Sequence, residues 1–251
     1  MGEICSPYFT QFNPQTNKYG VFRKEKDQDL TPLRLNKNFP ERNQKQIERV
    51  NQVILSIFSN QQTKITFLQH LARGIAGCYL DKTWCIIHGA RNSGKGVITD
   101  SLIAAFDEYI GCFDANNLLY KKGLGCDEAR AKAWLLPLRW VRLAFANEQN
   151  LSNDGENSNS KMNGIMIKSM ASGGDKQFAR ALYHETISFI FGGRLFICVN
   201  EIPDIFPTDT CETMTLFTLT NKFVDLVENL SPAEKKFLRK PQKRIIEQII
   251  E

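Results

Sequence analysis

Trp84-Cys85-Ile86-Ile87-His88-Gly89-Ala90-Arg91-Asn92-Ser93-Gly94-Lys95-Gly96 is the stretch that decides the fold of this chain. Its middle reads G-x-x-x-x-G-K and follows the apolar run Trp84–Ile87. A helical apolar pattern comes next, through Val97, Leu102, Ile103, Phe106 and Ile110. Strand, glycine loop, lysine and helix in that order make a phosphate-binding loop. The glycines let backbone N–H groups turn inward around phosphate oxygens. The helix start adds partial positive charge, and Lys95 adds a full one. Gly89, Ala90, Arg91, Asn92, Ser93, Gly94, Lys95, Gly96 and Val97 are the expected nucleotide-binding residues.

The loop departs from the usual pattern at its last position. Ser or Thr normally follows the lysine and ligates Mg²⁺ through its hydroxyl. Here that position is Gly96, which has no side chain. Either Mg²⁺ is held through water by an acid further along the chain, or the site hydrolyses slowly. Thr99, one turn later, is a candidate substitute. The Ser93 hydroxyl lies inside the loop, within reach of a phosphate.

A chain of 251 residues suits one large α/β domain, or a core with a small helical appendage. An apolar share of 42% supports a real core and excludes a disordered chain. A net charge of +5 fits a polyanionic partner and a slightly basic soluble enzyme equally well. None of the seven cysteines forms a C-x-x-C pair. Cys85 and Cys198 sit inside apolar runs, where cysteine acts as a small hydrophobe. The expectation is an intracellular, reducing compartment and no zinc site. The first residues lack the basic and apolar regions of a signal peptide, and no apolar run approaches membrane-spanning length.

Residues 1–43 are polar and broken by Pro7, Pro14, Pro32 and Pro40, which predicts an irregular arm. Residues 44–82 carry two helical patterns: Ile47, Val50, Val53, Ile54, Ile57 and Phe58, then Phe67, Leu68, Leu71, Ile75 and Cys78. They are expected to pack together as a small helical cap in front of the core. Residues 83–230 form that core. Its strand-like runs are Trp84–Ile87, Val141–Ala146 and Leu195–Val199, each short, apolar and closed by a polar residue, as buried parallel strands are. Helical patterns separate them, which predicts a central parallel sheet flanked by helices. Gln149–Ser160, rich in Asn, Ser and Gly, reads as a flexible loop. Residues 231–251 form a basic tail, with Lys235, Lys236, Arg239, Lys240, Lys243 and Arg244 in one acid-free stretch.

Open parallel sheets place functional residues at the carboxyl ends of their strands. Three such ends are occupied here. The first leads into the phosphate loop, the second ends in Asn147-Glu148 and the third in Asn200. A carboxylate facing the γ-phosphate can orient a water and accept its proton, or hold Mg²⁺ through water; Glu148 is assigned both roles. Asn200 can hydrogen-bond the attacking water or the γ-phosphate. Lys95, Glu148 and Asn200 are therefore the candidate catalytic set.

The order G-x-x-N-S-G-K, strand-end Glu, Ser-Gly-Gly-Asp followed by Ala-Arg, then strand-end Asn with Ile-Pro resembles superfamily 3 helicases. The nearest likeness is to the helicase half of poxvirus-type primase–helicases of large DNA viruses, phages and plasmids. The stretches that carry it are Gly89–Gly96, Leu143–Glu148, Lys168–Arg180 and Phe196–Pro203. The resemblance implies an AAA+-like ring, expected to be a hexamer, that hydrolyses ATP with Mg²⁺ and moves along single-stranded DNA. It matches Lys95 to the phosphate lysine, Glu148 to the catalytic acid and Asn200 to the sensor. In this family, elements near Lys168–Lys176 project into the channel and hold DNA. Gly173-Gly174 predicts a tight exposed turn there, and Lys168, Lys176 and Arg180 are the expected contacts to backbone phosphate. If the system is viral, the compartment is host cytoplasm or nucleus.

Such rings usually take an arginine from the neighbouring subunit, yet no arginine lies between Leu195 and Leu238. Lys222 and Arg239 are the available substitutes. No primase sequence precedes the core, so a stand-alone or truncated module, or one that joins a separate primase, is expected. Two other readings stay open. One is a P-loop kinase acting on a small acceptor, although an arginine-rich lid is not evident. The other is an assembly module that holds ATP and hardly turns it over.

Overall fold

The structure, a computed structural model, describes residues 8–13, 18–23, 41, 43–78, 80–119, 128–147, 161–223 and 238–239. Two strands come first, β1 (Tyr8–Asn13) and β2 (Lys18–Arg23), paired antiparallel from Tyr8↔Arg23 to Asn13↔Lys18. The arm expected to be irregular thus contains a hairpin. Aromatic and β-branched residues on either side of Pro14–Asn17 carry a strand signal that the prolines obscured.

Helix α1 (Gln44–Ile57) starts at Asn43, whose side chain accepts from the backbone N–H groups of Lys45 and Gln46. Asn60 caps α2 (Gln61–Ile75) in the same way, through Gln62. Cys78, expected on this second helix, lies beyond its end: Gly77 turns the chain at φ 80°, and the Cys78 N–H returns to the Arg73 carbonyl. After β3 (Trp84–Gly89) and α3 (Lys95–Phe106) the chain turns at Asp107, φ 46°. Ile110, expected on that helix, instead opens β4 (Ile110–Asp114).

Then follow the short α4 (Glu128–Ala131), β5 (Leu143–Asn147), β6 (Met162–Asn163) and α5 (Gly164–Ala171). Next are β7 (Lys176–Ala179), β8 (Ile187–Ile190), β9 (Arg194–Val199) and β10 (Ile205–Phe206). The last described strands are β11 (Met214–Leu219), β12 (Lys222–Phe223) and β13 (Leu238–Arg239).

The fold is α/β, built on a five-stranded sheet in the order β11-β3-β9-β5-β4, with every neighbouring pair parallel. The three central strands bury both faces, so their side chains divide by parity. Trp84, Ile86, Ala144, Ala146, Leu195, Ile197 and Val199 enter one core, with Leu135, Ile167 and Met170. Cys85, Ile87, Leu143, Phe145, Phe196 and Cys198 enter the other, with Val53, Ile57, Phe58 and Phe67 of the N-terminal helical segment. The Phe67 ring meets Phe58, Phe217 and Phe196 at 4.8, 5.3 and 6.0 Å between centroids. The helical pair expected as a cap is present, but it is a layer of the core seated on the sheet face. Amphipathic spacing shows that a helix buries one face, not what that face meets.

Lys235–Arg244 lies outside the described residues except for Leu238 and Arg239, which pair in parallel with Lys222 and Phe223. Cys85, Cys112 and Cys211 are free thiols. No described helix is long and apolar enough to cross a membrane.

Candidate functional site

The loop between β3 and α3 is shaped by two left-handed residues, Asn92 at φ 64° and Gly94 at φ 99°. Gly94 directly precedes α3, whose first residue is Lys95. Glycine is required there twice over. Its φ disfavours any Cβ, and a Cβ would approach Ile57 Cγ1 to 2.9 Å. Gly89 is required by packing, because its Cβ would lie 2.6 Å from Ser93 Oγ and 2.9 Å from Leu219 Cβ. Ser93 is buried, whereas Ala90, Arg91, Asn92 and Gly96 are exposed along the loop. Val97 packs against the α1–α2 side of the core.

The Lys95 ammonium donates to the carbonyls of Gly89 and Ala90, the second at 3.1 Å, and approaches Ser93 Oγ at 3.5 Å. It also donates to Asn200 Oδ1 at 2.9 Å. Asn200 follows β9, and β9 lies beside β3 in the sheet. Two candidates separated by 105 positions thus touch through side chains at adjacent carboxyl ends. That is the crevice where open α/β sheets bind ligands.

Glu148 and the Gln149–Ser160 loop lie outside the described residues. Asn147, exposed at the end of β5, is in register with Cys198 on β9 and with Asp114 on β4. Asp114 is a carboxylate at a strand end that sequence reading missed, because Ile110, which opens β4, was read as the end of the preceding helix and the strand itself was not recognised. Its Oδ1 accepts from the Asn116 N–H at 2.8 Å.

Thr99 does not take the place left open by Gly96. It is buried, and its hydroxyl donates back to the Lys95 carbonyl at 3.3 Å. The described part of the loop therefore offers no hydroxyl at the usual Mg²⁺ position. No group of three or more His, Cys, Asp or Glu side chains that could hold a metal occurs among the described residues.

The basic residues expected on DNA separate into two groups. Lys168, on α5, is ion-paired with Asp209. Lys176 opens β7 and is exposed; Arg180 follows β7 and is half-buried, its backbone N–H donating to the Ala129 carbonyl at 2.8 Å. The expected turn is present, with Gly173 at φ 72° and the Ser172 hydroxyl accepting from the N–H groups of Gly174 and Asp175. The more prominent feature lies at the other end of β7. Strands β7 and β8 form an antiparallel hairpin from Lys176↔Ile190 to Ala179↔Ile187. Its connecting loop carries Leu182 at 55% exposure and Tyr183 at 96%, with Tyr183 at φ 63°. His184 is exposed beside them.

A second polar cluster sits at the opposite end of the sheet, where β9 begins. The fully buried Arg194 guanidinium donates to both Asp81 oxygens, at 3.0 and 2.8 Å, and to the Cys78 carbonyl at 2.9 Å. Burial opposes ionisation of Asp81, but the hydrogen bonds and charge of Arg194 outweigh it and hold the carboxyl below its ordinary range. Burial and the Arg194 charge lower the pKa of His70, which lies 3.4 Å from Cys85 Sγ. That pair is not a nucleophile and its base. Burial pushes the Cys85 thiol up to about 12, so it stays protonated.

No family model matches the chain. Over 143 residues, 57% of its length, it is 31% identical to "Putative helicase V13" of the Sputnik virophage. The chain spans 18% of that protein's length. In three dimensions it is similar to the apo C-terminal region of NrS-1, with a TM-score of 0.55 at 13% identity, over 96% of this chain and 64% of that one. A second apo structure of that region gives a TM-score of 0.52 at 14% identity, over 97% and 64%. Part of the chain is thus helicase-like in sequence, and the likeness to the solved structures is one of fold.

Proposed function

We propose that this chain is the ATP-dependent motor module of a DNA helicase from a viral or virus-like replication system. The observation that carries the reading is the contact between Lys95 and Asn200 at the carboxyl ends of neighbouring parallel strands. A loop lysine and a polar sensor held together there suit a triphosphate, whose terminal phosphate would lie between them. The likeness to the virophage protein adds independent support.

In this reading the backbone N–H groups of the loop and Lys95 bind the phosphates. Glu148 follows β5, whose neighbour in the sheet is β9, and accepts the proton of the attacking water. Asn200 orients that water or the γ-phosphate. Hydrolysis yields ADP and phosphate. Mg²⁺ enters with the nucleotide, and residues 89–97 give it no direct hydroxyl ligand in the Ser/Thr position. Gly96 and Asn147 favour a second reading, an assembly module that binds ATP and turns it over slowly.

The hairpin β7–β8 supplies the contact to DNA. A solvent-exposed tyrosine on the loop that carries Arg180 and His184, with Lys176 at the far end of β7, suits a flexible single strand, because stacking and phosphate attraction are both indifferent to sequence. In this reading the DNA contact lies at the hairpin loop, and Lys168 keeps its ion pair with Asp209. Rings of subunits, expected as hexamers, and a separate primase partner belong to the same reading, as does action inside the host cell.

Steady-state and single-turnover ATP hydrolysis, with and without single-stranded DNA, test it. DNA-stimulated turnover that Tyr183→Ala reduces and Lys95→Ala abolishes is expected. Turnover that is unaffected by DNA removes the helicase assignment. Tight ATP binding with negligible turnover selects the assembly module.

A further inference from the structure

The phosphate loop is gripped from outside by a part of the chain that carries none of the catalytic set. Three contacts converge on it. The Phe223 N–H donates to the Asn92 carbonyl at 2.8 Å, at the first left-handed residue of the loop. Ile57, the last residue of α1, packs against Gly94, the second left-handed residue. Leu219, which ends β11, closes on Gly89.

Asn221 ties these contacts together. It is 8% exposed, and its Nδ2 donates to the Ser56 carbonyl at 2.7 Å and approaches the Ile57 carbonyl at 3.5 Å. Those carbonyls belong to the last turn of α1, which has no further helical partner to offer them. One residue earlier, the Thr220 hydroxyl meets the Ser59 hydroxyl at 3.0 Å. Two residues later comes the Phe223 amide that holds Asn92. The segment Leu219–Phe223 is therefore a strap. It is anchored on the α1–α2 elbow and closed on the loop.

We infer that Asn221 is a positioning residue for nucleotide binding, setting the conformation of the Asn92–Gly94 segment through the strap and the α1 terminus. This rests on the reading of Gly89–Lys95 as a nucleotide site. A phosphate cradle built from backbone N–H groups has no adjustable side chains to correct a misplaced loop, so binding depends on how firmly the backbone is held. Asn221 acts at the point where Ile57 and the strap meet, and its amide has the N–H donors that two backbone carbonyls require.

Asn221→Asp keeps the shape and replaces the donor with an acceptor that faces those carbonyls. The probe is a fluorescent methylanthraniloyl-ATP, titrated at a temperature where circular dichroism shows each variant folded. Affinity should weaken about tenfold, as expected when one buried hydrogen bond is turned into a repulsive contact. KM for ATP should rise with it, while kcat stays within about twofold of wild type. Hydrogen exchange at the Phe223 amide should be faster in the variant without nucleotide.

A residue with only a structural role would lower the melting temperature and leave the affinity of the folded protein unchanged, and that outcome overturns the inference. If Asn221→Asp does not fold, Thr220→Val decides. It removes the exposed hydroxyl pair and should weaken affinity about threefold; unchanged affinity overturns the inference. Lys95→Ala separates the two levels. If it binds the probe as wild type does, the nucleotide site itself is misassigned. If it fails to bind while the strap variants bind normally, only the role of the strap is lost.

Discussion

Replacing Gly96 with serine should stabilise α3 and sharpen the response of the site to Mg²⁺. Gly96 is exposed in the first turn of a helix running Lys95–Phe106, and a Cβ there meets nothing within 4 Å. The substitution is thus free of steric cost, and helix propensity decides its sign. Glycine is roughly 1 kcal/mol poorer than alanine inside a helix and serine roughly 0.5, so the gain is about 0.5 kcal/mol. For a chain of this size that raises the melting temperature by about 1–2 °C. The new hydroxyl stands where phosphate loops of this class carry their Mg²⁺ ligand. One direct oxygen in place of a water should lower the Mg²⁺ concentration for half-maximal hydrolysis by about tenfold, or roughly 1.4 kcal/mol. The assay is a Mg²⁺ titration of ATP turnover, beside thermal denaturation without nucleotide. Gly96→Ala is the control: it should show the stability gain and no change in Mg²⁺ response. If serine and alanine give the same Mg²⁺ curve, the hydroxyl does not reach the metal and the argument fails. A fall in melting temperature would refute the steric part.

Glu148→Gln should keep ATP bound and stop its hydrolysis; wild-type turnover would move the base elsewhere. Asn200→Ala should slow turnover more than it weakens binding, because Asn200 touches Lys95 and, in the proposed function, acts on the attacking water or the terminal phosphate. Asp81→Asn leaves the buried Arg194 charge without its carboxylate and should cost about 3 kcal/mol in urea denaturation; a loss below about 1 kcal/mol would show that the pair is relaxed by solvent. Stability should also fall on acidification. His70 is lowered from 6.5, so its contribution is complete above pH 6.5 and is lost as pH drops through the folded value. Asp81 is lowered from 3.8, so its contribution is present above pH 3.8 and is lost at still lower pH. Unfolding midpoints measured down from pH 7 should decline in that order, and His70→Gln should flatten the first decline.

The parts of the fold that sequence made legible are those where one physical requirement acts alone. Strands β3, β5 and β9 are buried on both faces, which forces continuous apolar runs that no exposed element imitates. Strand β4 was hidden because Ile110 continues the apolar spacing of α3, and only the backbone reversal at Asp107 separates them. Strand β11 lies at the sheet edge, where Met-Thr-Leu-Phe-Thr-Leu mixes polar with apolar residues and resembles a loop as much as a strand. The hairpin β7–β8 was not read at all: the Gly173-Gly174 turn that was read precedes β7, and the exposed loop at the strand's other end is distinguished by accessibility, which composition does not encode.

The same division runs through the site. Lys95 and the loop are local, so their spacing is visible; the contact with Asn200 is not, because it depends on strand order. The chain leaves β3 for β4 at the far edge, and places β9 in the gap beside β3 and β11 on its other side. The connections that leave the neighbours β3 and β9 therefore run in opposite directions, β3 to β4 and β9 to β11, and this opens the crevice at their carboxyl ends. A chain of the same composition with β5 beside β3 would set Asn147 against Lys95 and move Asn200 one strand further away. The pairing of Lys95 with Asn200 is thus a property of topology, and the strap that holds the loop follows from it. Only a strand on the outer side of β3 brings Leu219, Asn221 and Phe223 to the loop from the side that β9 leaves open.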